Sequence, residues 1–173
     1  MVSGDRPVAV LIGPPGAGKT TIGRALAEAL GVGFHDTDTA IEAEQGCSIS
    51  DIFVLDGEPA FRALERAEVA RAVATETGVV ALGGGAPIDP ATREVLADHT
   101  VVFLDVGIAD AAKRVGFDGS RPLLAINPRA TWTRMMNERR PTYEGLATLR
   151  VDTAGRGVAD VVAELVERLG AAT

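Results

Sequence analysis

Lys19 stands next to last in the glycine-rich stretch "GPPGAGKT", Gly13 to Thr20, and two carboxylates stand one residue apart in "FHDTD", at Asp36 and Asp38. The first pattern is GxxxxGK[ST], set between a β-branched run and a helical one, which is the context of a phosphate-binding loop and not of a chance glycine-rich turn. Its glycines let backbone N–H groups wrap the β- and γ-phosphates of a nucleotide. Lys19 adds a point charge, the helix dipole reinforces it, and the Thr20 hydroxyl can ligate Mg2+. The residues expected on ATP here are Gly13, Gly16, Ala17, Gly18, Lys19, Thr20 and Thr21. A regulatory GTPase would carry an NKxD-type segment, which is absent, and 173 residues leave no room for the modules of a motor or transporter ATPase. A small-molecule kinase is favoured.

The acceptor side is read from glycines and arginines. Many phosphate-loop proteins end their third strand in an aspartate that helps hold Mg2+, but here "VVALGGG" ends in Gly83, Gly84 and Gly85. They make either a loose turn or, at the carboxyl end of a sheet strand, a bare backbone against which a small substrate can lie. Arg62 falls in "GEPAFRALE", Arg121 in "SRPLL", and Arg139 in "RRPTY" before a proline expected to interrupt its helix. Arg24, Arg66, Arg71 and Arg168 are expected to be solvated surface charges, and His35 a bystander.

Asp36 and Asp38 alternate by two. If the strand persists, both leave on one face roughly 6 to 7 Å apart, a separation that suits two jobs. Asp36 would anchor Mg2+ through water in place of the missing third-strand carboxylate. The structural alternative is a helix start, with Thr39 and Glu42 as a capping box.

These groups need elements to position them. Short aliphatic runs at 8–12, 32–34, 79–82, 100–106 and 149–152 alternate with helical stretches. Their nearly continuous apolar character predicts an α/β fold, an open parallel sheet of five strands flanked by helices. In "TIGRALAEALG", Ile22, Leu26 and Leu30 share a stripe and Gly31 can end the helix; the terminal "VADVVAELVERLG" repeats the pattern with Val158, Val161, Val162, Leu165 and Leu169. Residues 116–128 read as a mobile lid carrying Arg121. The helical run at 46–77 is longer than a minimal crossover, which suggests a substrate-binding insertion, placed at about 37–65.

Size and composition fit one domain, residues 1–173. A formal charge of -7 argues against nucleic acid and anionic membranes as partners. Cys47 is the single cysteine, there is no secretion signal or apolar run long enough to span a bilayer, and no long apolar stripe demands a dimer. A cytoplasmic monomer is expected.

Taken together, the phosphate loop, "DTD" at 36–38, "SISDIF" at 48–53, "GEPAFRALE" at 57–65, "GGG" at 83–85, "RPLL" at 121–124 and "RRPTY" at 139–143 resemble the shikimate kinase family over almost the whole chain. The resemblance implies a phosphate-loop fold like that of the nucleoside monophosphate kinases and transfer of the ATP γ-phosphoryl group to the 3-hydroxyl of shikimate with Mg2+. It implies that Arg62 and Arg139 grip the shikimate carboxylate, that Gly83, Gly84 and Gly85 line the ring, and that Asp38 holds the reacting hydroxyl and accepts its proton. Phe53 and Phe61 would form an apolar wall, or be ordinary core residues. Lys19 and Arg121 would act on the phosphates, the latter swinging in with the lid, and Arg114 and Arg156 would flank the adenine and its phosphates. Val158 stands where some relatives place a proline against the adenine, and Thr142 where leucine is commoner. The rivals are another small-molecule kinase, acting on gluconate or a nucleoside monophosphate, and a nucleotide-binding regulatory module without turnover.

Overall fold

A computed structural model describes residues 4–115 and 127–171. Its sheet has five strands: β1 (Ala9–Ile12), β2 (Phe34–Asp36), β3 (Val79–Ala81), β4 (Val101–Asp105) and β5 (Leu149–Asp152). Every pairing is parallel and the order is β2-β3-β1-β4-β5, with Val10 of β1 registered against Val80 on one side and Val101 on the other. Strands β1, β3 and β4 are buried throughout, as strands covered by helices on both faces must be. The expected α/β class is the one found.

The eight α-helices of the described residues are α1 (Lys19–Leu30), α2 (Thr37–Gln45), α3 (Ile49–Asp56), α4 (Glu58–Thr75), α5 (Pro90–Leu96), α6 (Ile108–Val115), α7 (Pro128–Leu146) and α8 (Val158–Ala171). Helix α1 buries Ile22 and Leu26 and stops where Gly31 turns left-handed at φ 68°. Helix α8 buries Val161, Val162, Leu165 and Leu169, but Val158 is 39% exposed, because it opens the helix on the cavity side of the stripe. Helices α2 to α4 build a second, smaller core of Ile41, Ile52 and Phe61 beside the main one. Gly57 sits at the α3–α4 corner with φ 87° and ψ 164°, a conformation open to glycine alone, which explains the glycine of "GEPAFR".

Three expectations about elements need correction. The second strand runs Phe34–Asp36 and not 32–34, because the Val32 amide bonds back to the Ala27 carbonyl and closes α1. Pro141 does not interrupt its helix: α7 continues to Leu146, and Tyr143 on the far side of the proline is fully buried. Arg66 and Arg71 are exposed, as expected of surface charges, and each also holds an acid: Arg66 pairs with Asp89 at 2.7 Å, and Arg71 with the buried Glu68, also at 2.7 Å. His35 joins that last group, 2.7 Å from Glu68, and ties β2 to α4. The proposed lid lies almost wholly outside the described residues, Arg121 with it; its end at 128 is too late, since Pro128 already opens α7. Among the described residues, no helix is long and apolar enough to cross a membrane.

Candidate active site

The site forms at the carboxyl ends of β1, β2 and β3, beside the central strand where the chain's path across the sheet reverses. The phosphate loop leaves β1 at Gly13, where an added Cβ would lie 2.5 Å from the Leu104 carbonyl oxygen, so only glycine passes so close to β4. Gly18, left-handed at φ 88°, starts α1. Lys19 Nζ donates to the carbonyls of Gly13 at 2.7 Å and Pro14 at 3.1 Å, which folds the ammonium over the loop.

Around this loop opens a cavity of about 570 Å³, lined by Gly16, Gly18, Lys19, Thr20 and Thr21 and, from the other side, by Arg114, Arg156 and Val158. Ala17 is fully buried beneath it. Arg114 donates to the carbonyls of Gly16, Ala17 and Thr153, so it braces the loop from α6. Arg156 is held by Glu164 at 2.8 Å. Of the residues expected at the nucleotide, Gly16, Gly18, Lys19, Thr20, Thr21, Arg114 and Arg156 are brought to one cavity; Gly13 and Ala17 belong to the loop but do not line it, and Arg121 lies outside the described residues.

The two aspartates do not alternate along a strand. The strand ends at Asp36, which is the N-cap of α2, and Asp38 lies in the first helical turn. Asp36 Oδ1 accepts from the amides of Asp38 and Thr39, and Oδ2 accepts from Thr20 Oγ1 at 2.8 Å. The Thr39–Glu42 capping box is not formed either: Asp36 takes the cap, and Glu42 accepts from the Ile49 amide to seat α3. Thr20 and Asp36 together offer hard oxygen donors on the phosphate cavity, which suits Mg2+. Among the described residues no group of three or more His, Cys, Asp or Glu side chains could cage a metal.

A second cavity of about 340 Å³ meets the first, and Pro15, Thr20, Asp36, Asp38, Gly83 and Gly84 line both. The triple glycine is its floor, and the physical need for it is direct. A Cβ on Gly83 would stand 2.7 Å from Asp38 Oδ1 and 3.1 Å from Glu65 Oε2, and one on Gly85 would stand 2.5 Å from the Arg62 guanidinium. A Cβ on Gly84 would come 3.4 Å from Arg139 Nη1. Phe53 and Phe61 line the wall with ring centroids 5.1 Å apart, and Phe61 is at once a member of the small core.

Glu65 was not among the expected residues. It is 2% exposed and bonds Arg62 at 2.8 Å, one helical turn away in the stretch already quoted for Arg62. That i, i+3 spacing was the available signal. Burial pushes its carboxyl up to about 7, against the lowering pull of Arg62. Also unforeseen were two donors from α7: Tyr143 Oη bonds the Gly84 carbonyl at 2.6 Å, and Trp132 Nε1 bonds the Pro15 carbonyl at 2.8 Å. Burial raises the Tyr143 phenol and keeps it protonated. Beneath them Asp105, at the end of β4, accepts from both Arg140 and Arg150 and locks α7 to the sheet.

A parallel sheet of this order, with a phosphate loop on its central strand and a second, arginine-lined cavity opening at the same point, defines a phosphate-loop kinase of small molecules. Comparison with known proteins narrows the class. The family profile described as shikimate kinase matches residues 15–170. The chain is 62% identical over 150 residues to a shikimate kinase of Thermobifida fusca, covering 87% of each, and 55% identical over 163 residues to one of Salinispora tropica, covering 94% of this chain and 98% of the other. Among solved structures, a shikimate kinase from Acinetobacter baumannii in complex with shikimate superposes with a TM-score of 0.93 at 33% identity, over 97% of this chain and 94% of that one. A Sinorhizobium meliloti gluconokinase, at 22% identity and a TM-score of 0.57 with 96% and 93% covered, shares the fold alone. The chain belongs to the shikimate kinase family, and so is an ATP-dependent kinase acting on a hydroxyl of shikimate.

Proposed function

We propose that this chain transfers the γ-phosphoryl group of ATP to the 3-hydroxyl of shikimate with ATP in the larger cavity, shikimate in the smaller, and Asp38 at their junction. The observation that carries this reading is that Asp38 lines both cavities and lies against Gly83, so a hydroxyl on the glycine floor faces the phosphate loop. Arg62 and Arg139 supply two guanidinium forks for the shikimate carboxylate, which an ammonium would match less well. Glu65 holds Arg62 in place. The glycine floor and the wall of Phe53 and Phe61 receive the ring.

Asp38 orients the 3-hydroxyl and accepts its proton as the oxygen bonds to the γ-phosphorus. The bond from that phosphorus to the β,γ-bridging oxygen breaks, and the electron pair leaves with ADP. Lys19 and the loop amides stabilise the charge gathering on the phosphoryl oxygens. Arg121 is assigned by resemblance to the same task. Thr20 and Asp36 would hold Mg2+, Thr20 directly and Asp36 through water, and the ion supplies charge neutralisation on the phosphates. Arg114, Arg156 and Val158 receive the adenine end. Residues 37–65 serve as the substrate-binding insertion of a single domain. The lone cysteine supports a cytoplasmic setting, and the net charge of -7 argues against nucleic acid or an anionic membrane as a partner.

A coupled ADP-release assay tests the reading. Shikimate should stimulate turnover, whereas gluconate, nucleoside monophosphates and the absence of an acceptor should not. Turnover with gluconate in preference to shikimate, or ATP binding with no turnover on any acceptor, would overturn it.

A further inference from the structure

Two peptides at the junction of the cavities are free to rotate by sequence and held by structure. Pro15–Gly16 crowns the phosphate loop and Gly84–Gly85 belongs to the acceptor floor; each has glycine on its amide side, so neither is fixed by a Cβ there. The carbonyl of each accepts one hydrogen bond from a buried aromatic side chain, Trp132 for Pro15 and Tyr143 for Gly84. In a trans peptide the carbonyl and the following N–H point opposite ways. Pinning the carbonyl therefore fixes the direction in which Gly16 and Gly85 present their amides.

The two donors share one rigid element. Trp132 and Tyr143 stand eleven residues apart on α7, three helical turns within about 20°, so they leave the same face about 16 Å apart along the axis. Trp132 is 3% exposed and Tyr143 fully buried, and the Tyr143 ring packs on Phe103 of β4 with centroids 5.2 Å apart. The pinned segments also run close together, since a Cβ added to Gly84 would lie 3.2 Å from Pro15 Cδ.

We propose that Trp132 and Tyr143 are positioning residues for the phosphoryl transfer, α7 acting as a bar that sets the phosphate loop and the acceptor floor against each other. Tyr143 governs the acceptor side by fixing the Gly85 amide, and Trp132 governs the nucleotide side by fixing the Gly16 amide. Neither touches substrate. The proposal rests on the assignment of the two cavities to ATP and shikimate, and turnover of shikimate by the unaltered chain checks that assignment separately.

The test is steady-state kinetics of Tyr143→Phe and Trp132→Phe, which remove each donor and keep a ring. Loss of one hydrogen bond's worth of positioning predicts a rise of roughly tenfold in the KM for shikimate in Tyr143→Phe with the KM for ATP within about twofold, and the converse in Trp132→Phe. Unchanged constants, or equal changes in both constants for either variant, would overturn the proposal, because a purely structural loss has no preferred substrate. Should either variant fail to fold, the unaltered chain decides. It has one tyrosine and one tryptophan, so fluorotyrosine and fluorotryptophan each give a single fluorine resonance. Shikimate alone should move the tyrosine signal more, and ADP alone the tryptophan signal more; the reverse order, equal shifts or no shifts would overturn it.

Discussion

Thr20 Oγ1 donates a 2.8 Å hydrogen bond to Asp36 Oδ2, joining the first turn of α1 to the end of β2. The other oxygen of the same carboxylate caps α2 through the amides of Asp38 and Thr39. One side chain therefore fixes the loop threonine and aims the helical turn that carries Asp38. The two aspartates are neighbours separated by a helix start and not by the pleat of a strand.

Asp36→Asn should keep the cap, since asparagine caps as well as aspartate, but organise the waters of a bound Mg2+ less strongly. The Mg2+ concentration for half-maximal rate should rise, with shikimate affinity nearly unchanged. Asp38→Asn should lower kcat by about 10²-fold or more, as losing a general base does, while ATP still binds. A Mg2+ titration of the rate, with dissociation constants for both substrates, compares the two. Identical Mg2+ dependence and identical loss of rate would show one shared metal site.

The sequence carried the sheet because hydrophobic burial on both faces leaves a plain mark in runs such as "VVFLD", and it carried the phosphate loop because glycine spacing there is forced by backbone approach. It also carried Arg62, Arg139 and the triple glycine, through a resemblance in which several motifs occur in order. It did not carry Glu65, Trp132 or Tyr143. Their roles depend on which neighbour a buried polar atom finds, such as the Gly84 carbonyl for Tyr143, fifty-nine residues away. Local pattern misplaced the end of β2 and the effect of Pro141, where tertiary packing overrode the local preference.

Arg62→Lys and Arg139→Lys should each raise the KM for shikimate by roughly tenfold or more and leave that for ATP nearly unchanged, because an ammonium cannot grip a carboxylate with two parallel bonds. Both arginines line the smaller cavity only. Equal weakening of the two substrates in initial-rate kinetics would remove these residues from the acceptor.

Glu65 predicts a pH effect on stability. Its carboxyl titrates at about 7 in the folded chain against an ordinary 4.5, so the folded state holds the proton more tightly. The protonated form's contribution is fully present below about pH 4.5 and is lost as pH rises through about 7, on the order of 3 kcal/mol in all. Asp105 behaves oppositely: burial raises its carboxyl, but bonds from Arg140 and Arg150 outweigh this and hold it below the usual range, so its contribution is lost only in more strongly acid solution. Glu65→Gln should therefore flatten the decline of Tm between pH 4.5 and 7. Parallel Tm profiles of the two proteins across that window would show that Glu65 stays ionised throughout.

The final prediction separates the two ends of the acceptor floor. Gly85 has φ -89° and ψ -10°, and Gly83 is not among the glycines with positive φ, so alanine is tolerated by the backbone at both positions. What the new methyl meets differs. At Gly85 it meets the Arg62 guanidinium at 2.5 to 2.8 Å, and at Gly83 it meets the Asp38 carboxylate at 2.7 and 3.0 Å. Each obstacle is the tip of a side chain, which can swing aside, so Tm should fall little in either variant. Gly85→Ala displaces a binding group and should raise the KM for shikimate with kcat less affected. Gly83→Ala displaces the group that receives the proton and should lower kcat toward that of Asp38→Asn, since a misplaced base is little better than none. Initial-rate kinetics of both variants, with Tm measured alongside, make the comparison. Should both variants lose kcat and shikimate affinity in the same proportion, the floor would be one steric surface, without separate ends for binding and for proton transfer.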